Sequence, residues 1–178
     1  MPAGGGTTGN STDAAAREWL SRSHATDDFA PCRAFRIAYE GGKLRLRHYA
    51  PLEPAYSTPI LLVYALIKRA FILDLAPGRS VVQSLAQQGF HVYLTDWLAP
   101  ARGDSWRGLD TYVNEDLANA VRTVQAERGG RQVSIIGYCQ GALLGLIYTA
   151  LHPARVRNLV ALAVPLEMSA AATLVPPG

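Results

Sequence analysis

The stretch VSIIGYCQGALLG, residues 133–145, runs from a short apolar segment through Gly137, Tyr138, Cys139, Gln140 and Gly141 into a second apolar segment. Val133 to Gly137 suits a strand buried on both faces, and the residues from Gln140 to the stop at His152-Pro153 suit a helix. Cys139 then sits where a strand hands over to a helix, and in parallel α/β sheets reactive groups gather at the carboxyl ends of strands. Glycines two residues to either side fit a sharp turn in which a larger side chain would strike the neighbouring strand or helix. Glycine is about 7% of residues, so chance frames a given cysteine this way about once in two hundred times. The pattern is that of a nucleophile elbow with cysteine in place of serine; the plain alternative is a buried structural thiol.

Such a turn assigns further roles. The N-terminus of the following helix favours negative charge on the sulfur, and the backbone N–H of Gln140 faces the position where an oxyanion forms. A second N–H is expected from the segment after the first buried strand, Ala65-Leu66-Ile67-Lys68, with Ile67 taken as the donor.

Working outward, RAFRIAYEGGKLRLRHYAP (33–51) alternates apolar and polar residues about Glu40-Gly41-Gly42 and predicts a glycine-closed hairpin. ILLVYALI (60–67) is continuously apolar and predicts a buried strand. A helical segment is expected at about 78–88 and a strand at HVYLTDW (91–97). TYVNEDLANAVRTVQAER (111–128) reads as a helix with Tyr112, Val113, Leu117, Ala120, Val121 and Val124 on its apolar face. RVRNLVALAVP (155–165) supplies a fourth buried strand. Two strands followed by strict alternation predict an α/β fold, a mostly parallel sheet with helices on both faces. Residues 1–16, rich in Gly, Thr, Ser and Ala, are expected to be a flexible tail, 33–166 the domain, and 167–178 an irregular tail.

The 178 residues suit one domain, with 49% hydrophobic and 17% charged residues. Seventeen Lys and Arg against fourteen Asp and Glu give a net charge of +3. The basic residues are scattered, which excludes a phosphate-tracking face and nucleic acid as partner. The two cysteines, Cys32 and Cys139, form no CxxC pair, so neither a disulfide framework nor a metal site is expected, and a cytoplasmic location fits. No segment has the length and apolarity of a signal peptide or a membrane span. His48, His91 and His152 are expected to be surface or capping residues. Asp96 in LTDW follows a buried strand and is within reach of the site, against the commoner role of capping or bonding loop amides, and Asp74 in ILDL is read as similar and structural.

Taken in order, LLVYALIKRAFILDLAPGRSVVQSLAQQGFHVYLTDW, LDTYVNEDLANAVRTV, IIGYCQGA and YTALHPARVRNLVALAVP resemble the polyhydroxyalkanoate synthases, most of all the shorter catalytic subunit of the class III enzymes. The resemblance covers about Tyr39 to Pro165. It implies an α/β-hydrolase-like fold and polymerisation of (R)-3-hydroxyacyl-CoA. Cys139 would carry the acyl group as a thioester and release CoA, with Gln140 N–H and the 65–68 segment stabilising the oxyanion. CoA enters as part of the substrate and no other cofactor is implied. The partners implied are the growing polyester, its granule surface, and a second synthase subunit or a second copy of the chain.

Lys68, Ala70 and Ala142 depart from the Asn, Pro and Gly common in that family. The family's catalytic Asp and His lie on later strands, over a hundred residues beyond the nucleophile, and this sequence stops at Gly178. The expectation is therefore an α/β-hydrolase-like sheet truncated after the strand that follows the nucleophile helix. That apolar strand would be an open, association-prone edge, and activity would be low or absent. Two other functions fit the same residues: a thioesterase or esterase using water as acceptor, and a non-catalytic remnant that binds a synthase subunit or polymer granule.

Overall fold

In the computed structural model, residues 33–66 and 70–166 are described; the expected tails at 1–16 and 167–178, and Ile67 and Lys68, lie outside them. The hairpin forms where the glycine turn placed it, with β1 (Arg36–Gly41) antiparallel to β2 (Leu44–Tyr49). Gly42 sits at φ +58°, the left-handed conformation that glycine adopts without steric cost. β3 (Ile60–Val63), β4 (Val92–Trp97), β5 (Val133–Tyr138) and β6 (Val156–Leu162) complete one six-stranded sheet of order β1-β2-β4-β3-β5-β6. β2 pairs antiparallel with β4, and every later pairing is parallel.

Side chains alternate across a strand, and β3 shows why its run is continuously apolar. Leu61 and Val63 pack on one face with Tyr93, Ile135, Leu144 and Tyr148, while Ile60 and Leu62 pack on the other with Val82, Ala86 and Leu94. The first face is covered by α2 (Ala118–Glu127) and α3 (Gln140–Leu151) and the second by α1 (Val81–Gln87). Ser80 caps α1, its Oγ accepting from Gln83 N–H at 2.9 Å while donating to buried Asp74 at 2.7 Å. Asp74 therefore acts as the structural residue expected of it.

Three features differ from the sequence-based expectations. The segment leading into α2 is an α turn, Leu109–Thr111, then a π-helical stretch, Tyr112–Leu117. In that wider turn Asp116 lies on the buried side with Val113 and Leu117 and pairs with the Arg107 guanidinium. β6 reads as a buried strand from its composition, but only Val156 is buried and Val160 is 45% and Leu162 46% exposed; among the described strands it pairs with β5 alone, the open edge also expected of it. His48 was expected at the surface, yet it is 5% exposed. It is stacked on Tyr93 with ring centroids 4.4 Å apart, and its Nε2 lies 3.0 Å from His91 Nδ1.

Burial, then the nearby Arg36 cation, pushes His48 down from 6.5 to about 4; His91 and Arg128 act in the same direction and Glu127 against it. A neutral folded imidazole means the unfolded chain binds the proton more readily. Stability is therefore full above pH 6.5 and falls as pH drops toward 4, by about 2–3 kcal/mol in total. Urea unfolding at pH 7 and 4.5 should show this loss, and His48→Phe, which keeps a ring against Tyr93, should remove most of it. An unchanged pH slope in that variant would contradict the assignment.

Candidate active site

β5 runs out at Tyr138, and the chain turns at once into α3 through Cys139, whose backbone sits at φ 53° and ψ −124°. This is a conformation that side chains other than glycine rarely adopt, costing about 1–3 kcal/mol and held only where the surroundings enforce it. The enforcing contacts are explicit. A Cβ on Gly137 would lie 2.4 Å from Ala142 Cα, and one on Gly141 2.1 Å from the Val63 carbonyl oxygen. The strand, the helix and the end of β3 thus meet with room only for backbone. Ala142, where the resemblance has glycine, is fully buried and accommodated. The turn is fastened by Cys139 N–H donating to Leu162 O at 2.9 Å and by Ala142 N–H donating to Cys139 O at 3.0 Å. Cys139 is a free thiol, half-buried at the carboxyl edge of the sheet.

The segment after β3 lies beside this turn and is held at three points. Tyr64 N–H donates to Thr95 Oγ1 at 3.1 Å, Trp97 Nε1–H donates to Tyr64 O at 2.9 Å, and Leu66 N–H donates to the side-chain Oε1 of Gln140 at 3.2 Å. The rings of Tyr64 and Tyr138 stack with centroids 5.7 Å apart. Burial, and after it Tyr138 and Cys139, pushes the Tyr64 hydroxyl up, so it stays a neutral phenol beside the thiol. The structure thus brings Cys139, Gln140 and the beginning of the 65–68 segment together; Ile67, the expected second donor, lies outside the described residues.

The other sequence candidates fall elsewhere. Asp96 accepts from Arg47 Nε at 3.0 Å on the sheet face opposite Thr95 and Trp97, a structural role. His48 aligns through Tyr93 and Leu61 with Ile135, which puts it three strands across, about 14 Å, and four residues along, about 13 Å, from Cys139. His152 caps the far end of the twelve-residue α3, about 18 Å from its start. A cavity of about 330 Å³ lined by Ser57, His91, Glu127, Arg128 and Arg131 opens at the amino ends of the parallel strands, away from Cys139. No group of His, Cys, Asp and Glu among the described residues is arranged to hold a metal ion. No described helix is long and apolar enough to cross a membrane.

Tyr64, Thr95 and Trp97 were not singled out from sequence. Their signal was available: Thr95 and Trp97 put polar atoms at the carboxyl end of an apolar strand, and buried polar atoms need partners. Asp96, drawn from the same LTDW, points the other way because side chains alternate.

The family model of the alpha/beta hydrolase fold matches residues 47–176. The poly(3-hydroxyalkanoate) polymerase subunit PhaC of Haloferax mediterranei is 48% identical over 124 residues, 69% of this chain and 25% of that protein. The subunit of the same name from Synechocystis is 36% identical over 76% of this chain and 36% of its own length. The chain therefore spans about a quarter to a third of these curated relatives. Among solved structures, a probable hydrolytic enzyme from Pseudomonas aeruginosa superposes with a TM-score of 0.57 at 21% identity, covering 85% of this chain and 48% of its own. The thioesterase domain from the curacin biosynthetic pathway gives 0.56 at 18% identity, over 79% of this chain and 49% of its own. At these identities the two structures speak for the fold alone.

Proposed function

Because the chain belongs to the alpha/beta hydrolase fold family, we propose that it is the nucleophile-bearing part of a polyhydroxyalkanoate synthase in which Cys139 carries the acyl group of an (R)-3-hydroxyacyl-CoA. The observation behind this is the Cys139 backbone, held at a positive φ between glycines that have no room for a side chain. Strain of this kind concentrates at reactive positions, and the PhaC relatives supply the acyl chemistry.

In the proposed step the Cys139 thiolate attacks the thioester carbonyl carbon and the C=O electron pair moves onto oxygen. The N–H of Gln140 donates to that oxyanion; because Leu66 N–H is occupied by the Gln140 side chain, Ile67 N–H is the proposed second donor. On collapse the bond to the CoA sulfur breaks, and CoA leaves as a thiolate that takes a proton from water. One thioester has replaced another, so the acyl group stays activated for attack by the hydroxyl of the growing polyester.

Each later addition needs a base to remove that hydroxyl proton. Among the described residues no histidine lies beside Cys139, His48, His91 and His152 all being placed away from it, and on that ground acylation without sustained turnover is proposed for the 178-residue chain. With 3-hydroxybutyryl-CoA, free CoA should rise by about one equivalent per chain and then stall, and Cys139→Ala should release none. Equal release by Cys139→Ala would overturn the role of Cys139, and steady polymerisation would overturn the limit on turnover.

A further inference from the structure

The cavity of about 330 Å³ at the amino ends of the parallel strands is built from groups that the Cys139 chemistry does not use. Cys139 lies six residues beyond Val133, the first of β5, about 20 Å along the strand, so the two are separate places. One wall is the segment before β3. Ala55 and Tyr56 N–H donate to Gly89 O at 3.1 and 3.4 Å, and the Tyr56 ring is stacked on Phe90 with centroids 4.1 Å apart. The other wall is the end of α2. There the chain reverses through Gly129 and Gly130, at φ 66° and 76°, with Gly130 N–H donating to Gln125 O at 2.8 Å, so that Arg128 and Arg131 line the same cavity.

The charges around it do not balance. Glu127, the carboxylate in the lining, is already engaged: its Oε2 accepts from Arg36 at 2.5 Å and from the Tyr93 hydroxyl at 2.7 Å. Burial, then Arg128, pushes His91 down, so its ring is neutral. Among the described residues neither Arg128 nor Arg131 is in an ion pair. Arginines after a helix commonly serve its last carbonyls, but Arg128 Nε is buried and has no acceptor. A buried charged donor in that state is costly and calls for a partner.

We propose that this cavity is a second binding site and takes a small phosphate monoester, whose dianionic phosphate is held by the guanidinium groups of Arg128 and Arg131 while its organic part lies against Pro54 and Tyr56. Two uncompensated cations match a dianion, whereas a carboxylate would leave one unmatched, and the planar fork of guanidinium donors suits phosphate oxygens. The volume is that of roughly ten waters, more than a bare phosphate fills. Two cations serve one phosphate group and not the backbone of a polyanion. The site stands whether or not Cys139 is acylated.

Titration calorimetry on the 178-residue chain tests this at about pH 8, where a monoester is dianionic, and at about 0.15 M salt, which screens diffuse attraction to the basic surface. The probes are phenyl phosphate, inorganic phosphate and benzoate. Phenyl phosphate should bind with a Kd on the order of 1 mM or tighter, inorganic phosphate about tenfold more weakly and benzoate more weakly still. Arg128→Gln and Arg131→Gln should each weaken phenyl phosphate about 10- to 100-fold. Arg128→Lys, which keeps the charge and loses the fork, should fall between wild type and Arg128→Gln. Arg102→Gln, exposed beyond the carboxyl end of β4, should leave binding unchanged. Absence of binding, benzoate binding as tightly as phenyl phosphate, or equal weakening by Arg102→Gln and Arg131→Gln overturns the site. Inorganic phosphate binding as tightly as phenyl phosphate assigns it to the free anion and overturns the monoester. Should Arg128→Gln not fold, Arg131→Gln, at an exposed position, decides: unchanged affinity in that variant overturns the proposal.

Discussion

Gly141→Ala should destabilise the fold by about 3 kcal/mol or more. The new methyl carbon would lie 2.1 Å from the Val63 carbonyl oxygen, 2.6 Å from its carbon and 2.8 Å from the Tyr64 carbonyl carbon. All three are backbone atoms, and Val63 belongs to the fully buried centre of the sheet, so the clash cannot be relieved by a side-chain rotation. Either β3 separates from the helix or the elbow opens, and both disturb the segment beside Cys139. Gly103→Ala is the matched control, since a Cβ there meets nothing within 4 Å and should change stability by no more than about 0.5 kcal/mol. Urea unfolding of the two variants checks the contrast; equal, small effects would mean that the close approach at Gly141 is not maintained.

Asp116→Ala should cost about 3–5 kcal/mol, because it leaves a buried cation without its counter-charge. The side chains of Arg107 and Asp116 are only 6% and 3% exposed. Arg107 is further enclosed by the Trp106 and Tyr112 rings, each 5.3 Å from its guanidinium carbon. Asp116→Asn keeps an acceptor and should cost clearly less. The double variant Arg107→Met, Asp116→Leu, which removes both charges, should recover much of the loss, since such pairs often exchange for apolar residues at little cost. Equal destabilisation by Asp116→Ala and the double variant would contradict this account.

The sequence carried its strongest information where the physics is local. Gly41-Gly42 announced the hairpin, the unbroken apolar run at β3 announced a strand covered on both faces, and the glycines around Cys139 announced a turn with no room for side chains. What escaped was set by partners distant in sequence. His48 looked like a hairpin surface residue because its neighbours Arg47 and Tyr49 gave no hint of His91 and Tyr93 packing against it. Asp116 sat in a helical pattern, and its pairing with Arg107 and its place beside Gly42 involve residues outside that pattern. The bond from Gln140 to Leu66 spans two elements separated by most of the domain, so the residue was legible only through its backbone. β6 misled in the other sense: its composition was that of a covered strand, and burial depends on what packs against it.

On the proposed function, Cys139 itself becomes acylated. Peptide mapping by mass spectrometry after incubation with 3-hydroxybutyryl-CoA should find one 3-hydroxybutyryl group on the peptide containing Cys139, labile to hydroxylamine and missing in Cys139→Ala. No adduct, or an adduct confined to Cys32, would contradict it.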